Sequence, residues 1–80
     1  MLNAKIVGQV ICELRIKKGL SQEVTSGLAG ISRTHLSMIE KGRRKPNLDT
    51  IFKISEALNV SPSEIVKIIE EKNKLYTKNL

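Results

Sequence analysis

The chain has 80 residues, 40% of them hydrophobic and 28% charged, which suffices for one domain with a single modest core. No apolar run approaches the ~20 residues of a membrane span. No basic start followed by an apolar stretch and a small-residue cleavage site marks a signal peptide, and the single cysteine, Cys12, excludes an internal disulfide framework. These features predict a cytoplasmic protein. The net charge of +6 is uneven: residues 1–46 hold nine Lys/Arg against three acids, whereas residues 47–80 hold five of each sign. That asymmetry suggests a polyanion-facing first part and a neutral scaffold or partner face after it. On charge alone, a solubilising excess explains it equally well.

Helical periodicity dominates in chain order. Ile6, Val10 and Leu14 recur at i, i+4, i+8 with Val7 and Ile11 flanking, which predicts a first helix over about 3–18, closed by Lys17, Lys18 and Gly19. Ser21 suits the N-cap of a short second helix, about 22–28. Its Val24-Thr25-Ser26-Gly27 stretch has poor intrinsic propensity and needs tertiary contacts to persist. Gly30 follows as the turn residue. Ser32 can cap a third helix, about 33–40, with Leu36 and Ile39 as its apolar face, and Lys41-Gly42 ends it. The basic loop Arg43-Arg44-Lys45-Pro46 cannot continue a helix through its proline.

A fourth helix, about 48–58, is expected to turn Leu48, Ile51, Phe52, Ile54 and Leu58 inward. Ser61-Pro62-Ser63-Glu64 then carries a full helix-start signature, with Ser at N-cap, Pro at N1 and Glu at N3. It opens a fifth helix from about 62 to the low seventies, with Ile65, Ile68 and Ile69 inward and Val66 flanking. Residues 73–80 read as a fraying tail after a domain over 1–72. The expected fold class is all-α, a compact five-helix domain.

The segment Gln22–Ile39 has the spacing of a helix-turn-helix: two short helices, a turn at Gly30, and a small residue, Ser26, where they cross. Ala29, Ile31, Leu36 and Ile39 would hold the pair to the core. The third helix then exposes Arg33, Thr34 and Ser37, with Met38 and His35 beside them. Such side chains can read base edges: Arg at guanine, Thr or Ser at several bases, an apolar tip at a thymine methyl.

Leu20-Ser21-Gln22-Glu23, Ala29-Gly30-Ile31-Ser32-Arg33-Thr34-His35-Leu36-Ser37 and Ile39-Glu40-Lys41-Gly42-Arg43-Arg44-Lys45-Pro46 together resemble the Cro and phage-repressor (XRE-family) helix-turn-helix, a lambda-repressor-like DNA-binding fold. The likeness continues through Leu48-Asp49-Thr50-Ile51 and Ile54–Val60, so it covers about residues 5–70. Arg33-Thr34 with Ser37 is similar in particular to the stand-alone controller proteins of restriction-modification systems. The resemblance implies that Arg33, Thr34 and Ser37 face bases. Met38 stands at a position that reads bases in phage repressors, although methionine donates no strong hydrogen bond. Gln22, Ser32, His35, Lys41, Arg43 and Arg44 would meet the DNA backbone, and Arg15 and Glu40 match a structural salt bridge of the family. Thr25 stands where the family usually has leucine, and Val24 and Leu28 where it usually has polar residues, so an unusual packing of the second helix or a partner at Leu28 is expected.

These readings imply a transcription regulator that binds a pseudo-palindromic double-stranded operator as a homodimer, with Val66 and Ile69 in the dimer surface. It would associate with the nucleoid when bound, and RNA polymerase is a further partner the reading allows. The alternative is an antitoxin-type interaction module that also binds DNA and meets a toxin protein through Leu28, Ile69, Leu75 and Tyr76. No cofactor or metal is expected, because one histidine and one cysteine on different helices make no nucleophile or metal set. Cys12 reads as a buried or half-buried small hydrophobe. Binding of single strands by stacking is disfavoured, since Phe52 and Tyr76 are the only aromatics.

Overall fold

The computed structural model describes residues 2–78, with side chains through Leu75. Five helices follow in order: α1 (Ala4–Lys17), α2 (Gln22–Ala29), α3 (Arg33–Glu40), α4 (Leu48–Leu58) and α5 (Pro62–Lys78). The helix starts are fixed by side-chain caps. Asn3, Ser21, Ser32 and Asn47 each accept from a backbone N–H of the first turn that has no intrahelical partner. At α5, Ser61 Oγ accepts from Glu64 N at 3.2 Å, the bond expected of the Ser-Pro-Ser-Glu signature.

The ends of α2 and α3 set the path of the chain around the third helix. Gly30 sits at φ 70°, a left-handed conformation that only glycine takes without steric cost. Gly30 N bonds Gly27 O and Ile31 N bonds Ser26 O, so the last carbonyls of α2 are paired while the chain turns sharply. The same pair of bonds, Gly42 to Ile39 and Arg43 to Met38, closes α3 and delivers the basic loop beside it.

Ile6, Val7, Val10 and Ile11 of α1, Ala29 of α2, Leu36 and Ile39 of α3, Ile51, Ile54 and Leu58 of α4 and Ile65 and Ile69 of α5 form one core. Leu14, Leu20, Ile31 and Ile68 pack on its margin. α1 lies against α3 and α5, and α2 against α3 and α4.

Two sequence expectations are corrected. Leu48 and Phe52 are not inward but 67% and 48% exposed. The buried stripe of α4 runs through Thr50, Ile51, Ile54, Ser55 and Leu58, which leaves 48 and 52, one turn apart, on the flank. Ser55 is tolerated inside because its hydroxyl donates to Phe52 O at 2.8 Å. Secondly, α5 does not end in the low seventies but continues to Lys78. Lys72 Nζ meets Glu13 Oε2 of α1 at 2.8 Å just before this added length. Ile69 is 7% exposed and packs in the core, inward as expected, and Val66 is 48% exposed on the flank. The side chain of Tyr76 and the residues 79–80 of the expected tail lie outside the described residues.

The departure at position 25 has a structural consequence. Thr25 is fully buried, and its Oγ1 has no hydrogen-bond partner. A buried hydroxyl that loses water without replacement costs free energy, whereas an apolar side chain of the same shape does not. Thr25→Val is therefore expected to stabilise the domain by about 1 kcal/mol. A thermal melt that places the variant at or below the parent would contradict this.

Candidate nucleic-acid interface

The third helix has two faces with separate tasks. On the inner face, Leu36 and Ile39 are fully buried. α1 approaches this face so closely that a Cβ on Gly8 would overlap Ile39 O and lie 2.7 Å from Glu40 O. On the outer face, Arg33 and Thr34 are exposed and Ser37 and Met38 are half-buried. Together with Gln22 at the start of α2 and Lys41 past the end of α3, these four line an open concavity of about 370 Å³.

The far end of α3 is held by a polar network. Arg15 Nε donates to Glu40 Oε2 at 2.7 Å, and a second guanidinium nitrogen donates to Oε1 at 3.0 Å. This two-bond geometry is the strongest that an ion pair of this type offers. A third nitrogen of Arg15 donates to Leu20 O at 2.7 Å, tying in the turn before α2. Gln22 Nε2 also donates to Glu40 Oε1, at 3.1 Å. One carboxylate thus connects α1, α2 and α3, and its charge offsets the burial of Arg15. Burial alone would raise the Glu40 pKa, but the hydrogen bonds from Arg15, Gln22 and Cys12 outweigh it and hold the carboxyl below its usual range. Cys12 is half-buried beside this network. Its sulfur accepts from a guanidinium nitrogen of Arg15 at 3.7 Å, so it is half-buried as expected but joins the polar network, and burial, then Glu40, pushes its thiol pKa up.

The expected salt bridge is therefore present, and the residues expected at bases share one surface. Two residues expected at phosphates have internal partners. The Gln22 amide is engaged by Glu40 through one N–H, which leaves the other for an external acceptor. Ser32 Oγ accepts from His35 N at 2.9 Å and caps α3, so only its hydroxyl proton can donate outward. Lys41, Arg43 and Arg44 are exposed, and His35 is half-buried.

Sequence reasoning missed Gly8. The signal was there: an isolated glycine inside a helical apolar pattern usually has a packing reason. It also missed the Gln22–Glu40 bond, which only the meeting of α2 and α3 reveals.

Two short helices joined by a left-handed glycine turn, the second anchored on one face and polar on the other, define a helix-turn-helix protein. The chain belongs to the helix-turn-helix family (HTH_3), whose profile matches residues 12–65. It is 40% identical over 67 residues to the HTH-type transcriptional regulator y4dJ of Sinorhizobium fredii, across 84% of this chain and 87% of that one. It is 39% identical over 62 residues to the control protein C.BamHI of Bacillus amyloliquefaciens, across 76% of each. The crystal structure of the restriction-modification controller protein C.AhdI from Aeromonas hydrophila superposes with a TM-score of 0.77. That match has 37% identity and covers 81% of this chain and 98% of the other.

Proposed function

We propose that this protein is a sequence-specific, double-stranded-DNA-binding transcription regulator of the controller type, working as a homodimer on a pseudo-palindromic operator in the cytoplasm. The observation that carries this reading is the division of α3. Its inner face is immobilised by Leu36, Ile39 and the Arg15–Glu40 bridge, while Arg33, Thr34, Ser37 and Met38 look into an open concavity. A rigid helix with an Arg, two hydroxyls and a thioether outward is suited to reading base edges in a major groove. Arg33, Thr34 and Ser37 are assigned to bases. Lys41, Arg43 and Arg44, with His35, the spare N–H of Gln22 and the Ser32 hydroxyl, are assigned to the backbone.

The dimer surface is assigned to Val66 together with Leu48 and Phe52, three of the apolar side chains that α4 and α5 leave exposed. Ile69 contributes from beneath, as core. A two-fold dimer would set the recognition helices about one helical turn, ~34 Å, apart. Control of a restriction-modification operon, with RNA polymerase blocked or recruited at a neighbouring promoter, is the setting that the relatives suggest. The antitoxin reading keeps one specific support: Leu28 and Leu75 are 64% and 62% exposed. A toxin gene beside this one would favour it, and endonuclease and methyltransferase genes would favour the controller.

Selection of bound duplexes from a random pool tests specificity, half-site spacing and symmetry together. One enriched palindromic sequence is the expected outcome, and uniform recovery of all duplexes would overturn the reading. On the selected site, Arg33→Ala should relax the preference at one base pair per half-site, costing about 1–3 kcal/mol there. Arg44→Ala should instead weaken all duplexes alike and reduce the salt slope by about one. Interchanged behaviour would reverse the two assignments.

A further inference from the structure

Met38 stands apart chemically on the outer face of α3. Leu36 and Ile39, its apolar neighbours in sequence, are fully buried, whereas Met38 is half-buried and lines the concavity. Every other lining group (Gln22, Arg33, Thr34, Ser37 and Lys41) carries a hydrogen-bond donor. A thioether donates no hydrogen bond and accepts only weakly, so it cannot read the donor and acceptor pattern of a base pair. In the major groove only thymine presents an apolar group, its 5-methyl.

Another part of the same lining is also fixed in advance. Gln22 is bonded to Glu40, and Glu40 to Arg15, so this lining side chain is held in place before any ligand arrives. A preformed recess with one apolar lining group discriminates by shape and desolvation. A flexible methionine on an open surface would not.

We infer that Met38 is a specificity-determining residue that reads one thymine per half-site through its 5-methyl group. The inference rests on the DNA-binding reading above and adds the base and the group recognised.

The test uses the duplex selected above, with each thymine replaced in turn by deoxyuridine. This removes the methyl and leaves every hydrogen-bonding group in place. For the unmodified protein, one position per half-site should lose affinity by roughly fourfold, the loss expected for one buried methyl group. Replacement in both half-sites should multiply the two losses. Met38→Ala should bind the parent duplex more weakly and be indifferent to deoxyuridine at that same position. Because the unmodified protein carries the first arm, the requirement for a thymine methyl is tested whether or not the variant folds well, and the variant arm assigns it to Met38.

Indifference of the unmodified protein at every thymine would overturn the inference while leaving sequence-specific binding intact. So would an undiminished deoxyuridine penalty in Met38→Ala. Failure of the selection to enrich any sequence would overturn the DNA-reading function itself, and this inference with it.

Discussion

Replacing Gly8 by alanine is expected to destabilise the domain by about 3 kcal/mol, near the upper end for overpacking, and to lower Tm by about 15 °C. The added methyl would overlap Ile39 O and approach Glu40 O and the Glu40 carbonyl carbon at 2.7 and 2.9 Å. All three are backbone atoms, so no rotamer change relieves the contact, and α1 and α3 must part. Parting them loosens Leu36 and Ile39 and pulls on the Arg15–Glu40 bridge. Gly27→Ala provides the control. A methyl there meets nothing within 4 Å, and the site is an exposed position inside α2. Alanine should stabilise it by about 0.5–1 kcal/mol, because glycine loses more backbone entropy in a helix. The same chemical change should thus move Tm in opposite directions. Two shifts of the same sign would remove the close-approach argument.

Much of this architecture was legible because it is local. Caps at Ser21, Ser32 and Ser61, the turn at Gly30 and the proline at 46 punctuate the chain, and they place α3 and α4 at the expected residues. The outward set of α3 follows from which residues face in, since Leu36 and Ile39 leave Arg33, Thr34 and Ser37 no other side. What failed depends on contacts between distant segments. Periodicity reads an apolar residue as inward, so it placed Leu48 and Phe52 in the core, although the stripe that meets α2 and α5 lies beside them and includes Thr50 and Ser55. The end of α5 is not legible because residues 73–78 read as a tail by composition, although the helix runs on to Lys78. Thr25 stands out from the family pattern in the sequence, but only the fold shows that its hydroxyl is buried without a partner.

Glu40→Ala is expected to cost about 3 kcal/mol, within the range for breaking a buried ion pair by removing one partner. The Arg15 side chain is 13% exposed and Glu40 only 4%. Loss of the carboxylate leaves a guanidinium with the Leu20 carbonyl but no counter-charge, and frees Gln22 as well. A carboxylate in the last turn of α3 also opposes the helix dipole, so removing it gives a small compensating gain. A structural role therefore predicts a large stability loss, whereas a role confined to DNA contact predicts an unchanged melt.

The pH dependence separates charge from shape. Hydrogen bonds lower the Glu40 pKa in the folded protein below the ordinary 4.5, despite burial. A depressed carboxyl pKa contributes stability that is complete above the unfolded value and is lost as pH falls through the folded one. The stability difference between the unmodified protein and Glu40→Gln should thus be constant above about pH 5 and shrink as the pH drops through the lowered value. Glu13 is shifted the same way by its hydrogen bond from Lys72, but it is present in both proteins and cancels in the difference. A difference that stays flat down to pH 3 would mean that the amide replaces the carboxylate on shape alone, and that the charge of Glu40 contributes nothing to holding α3 in place.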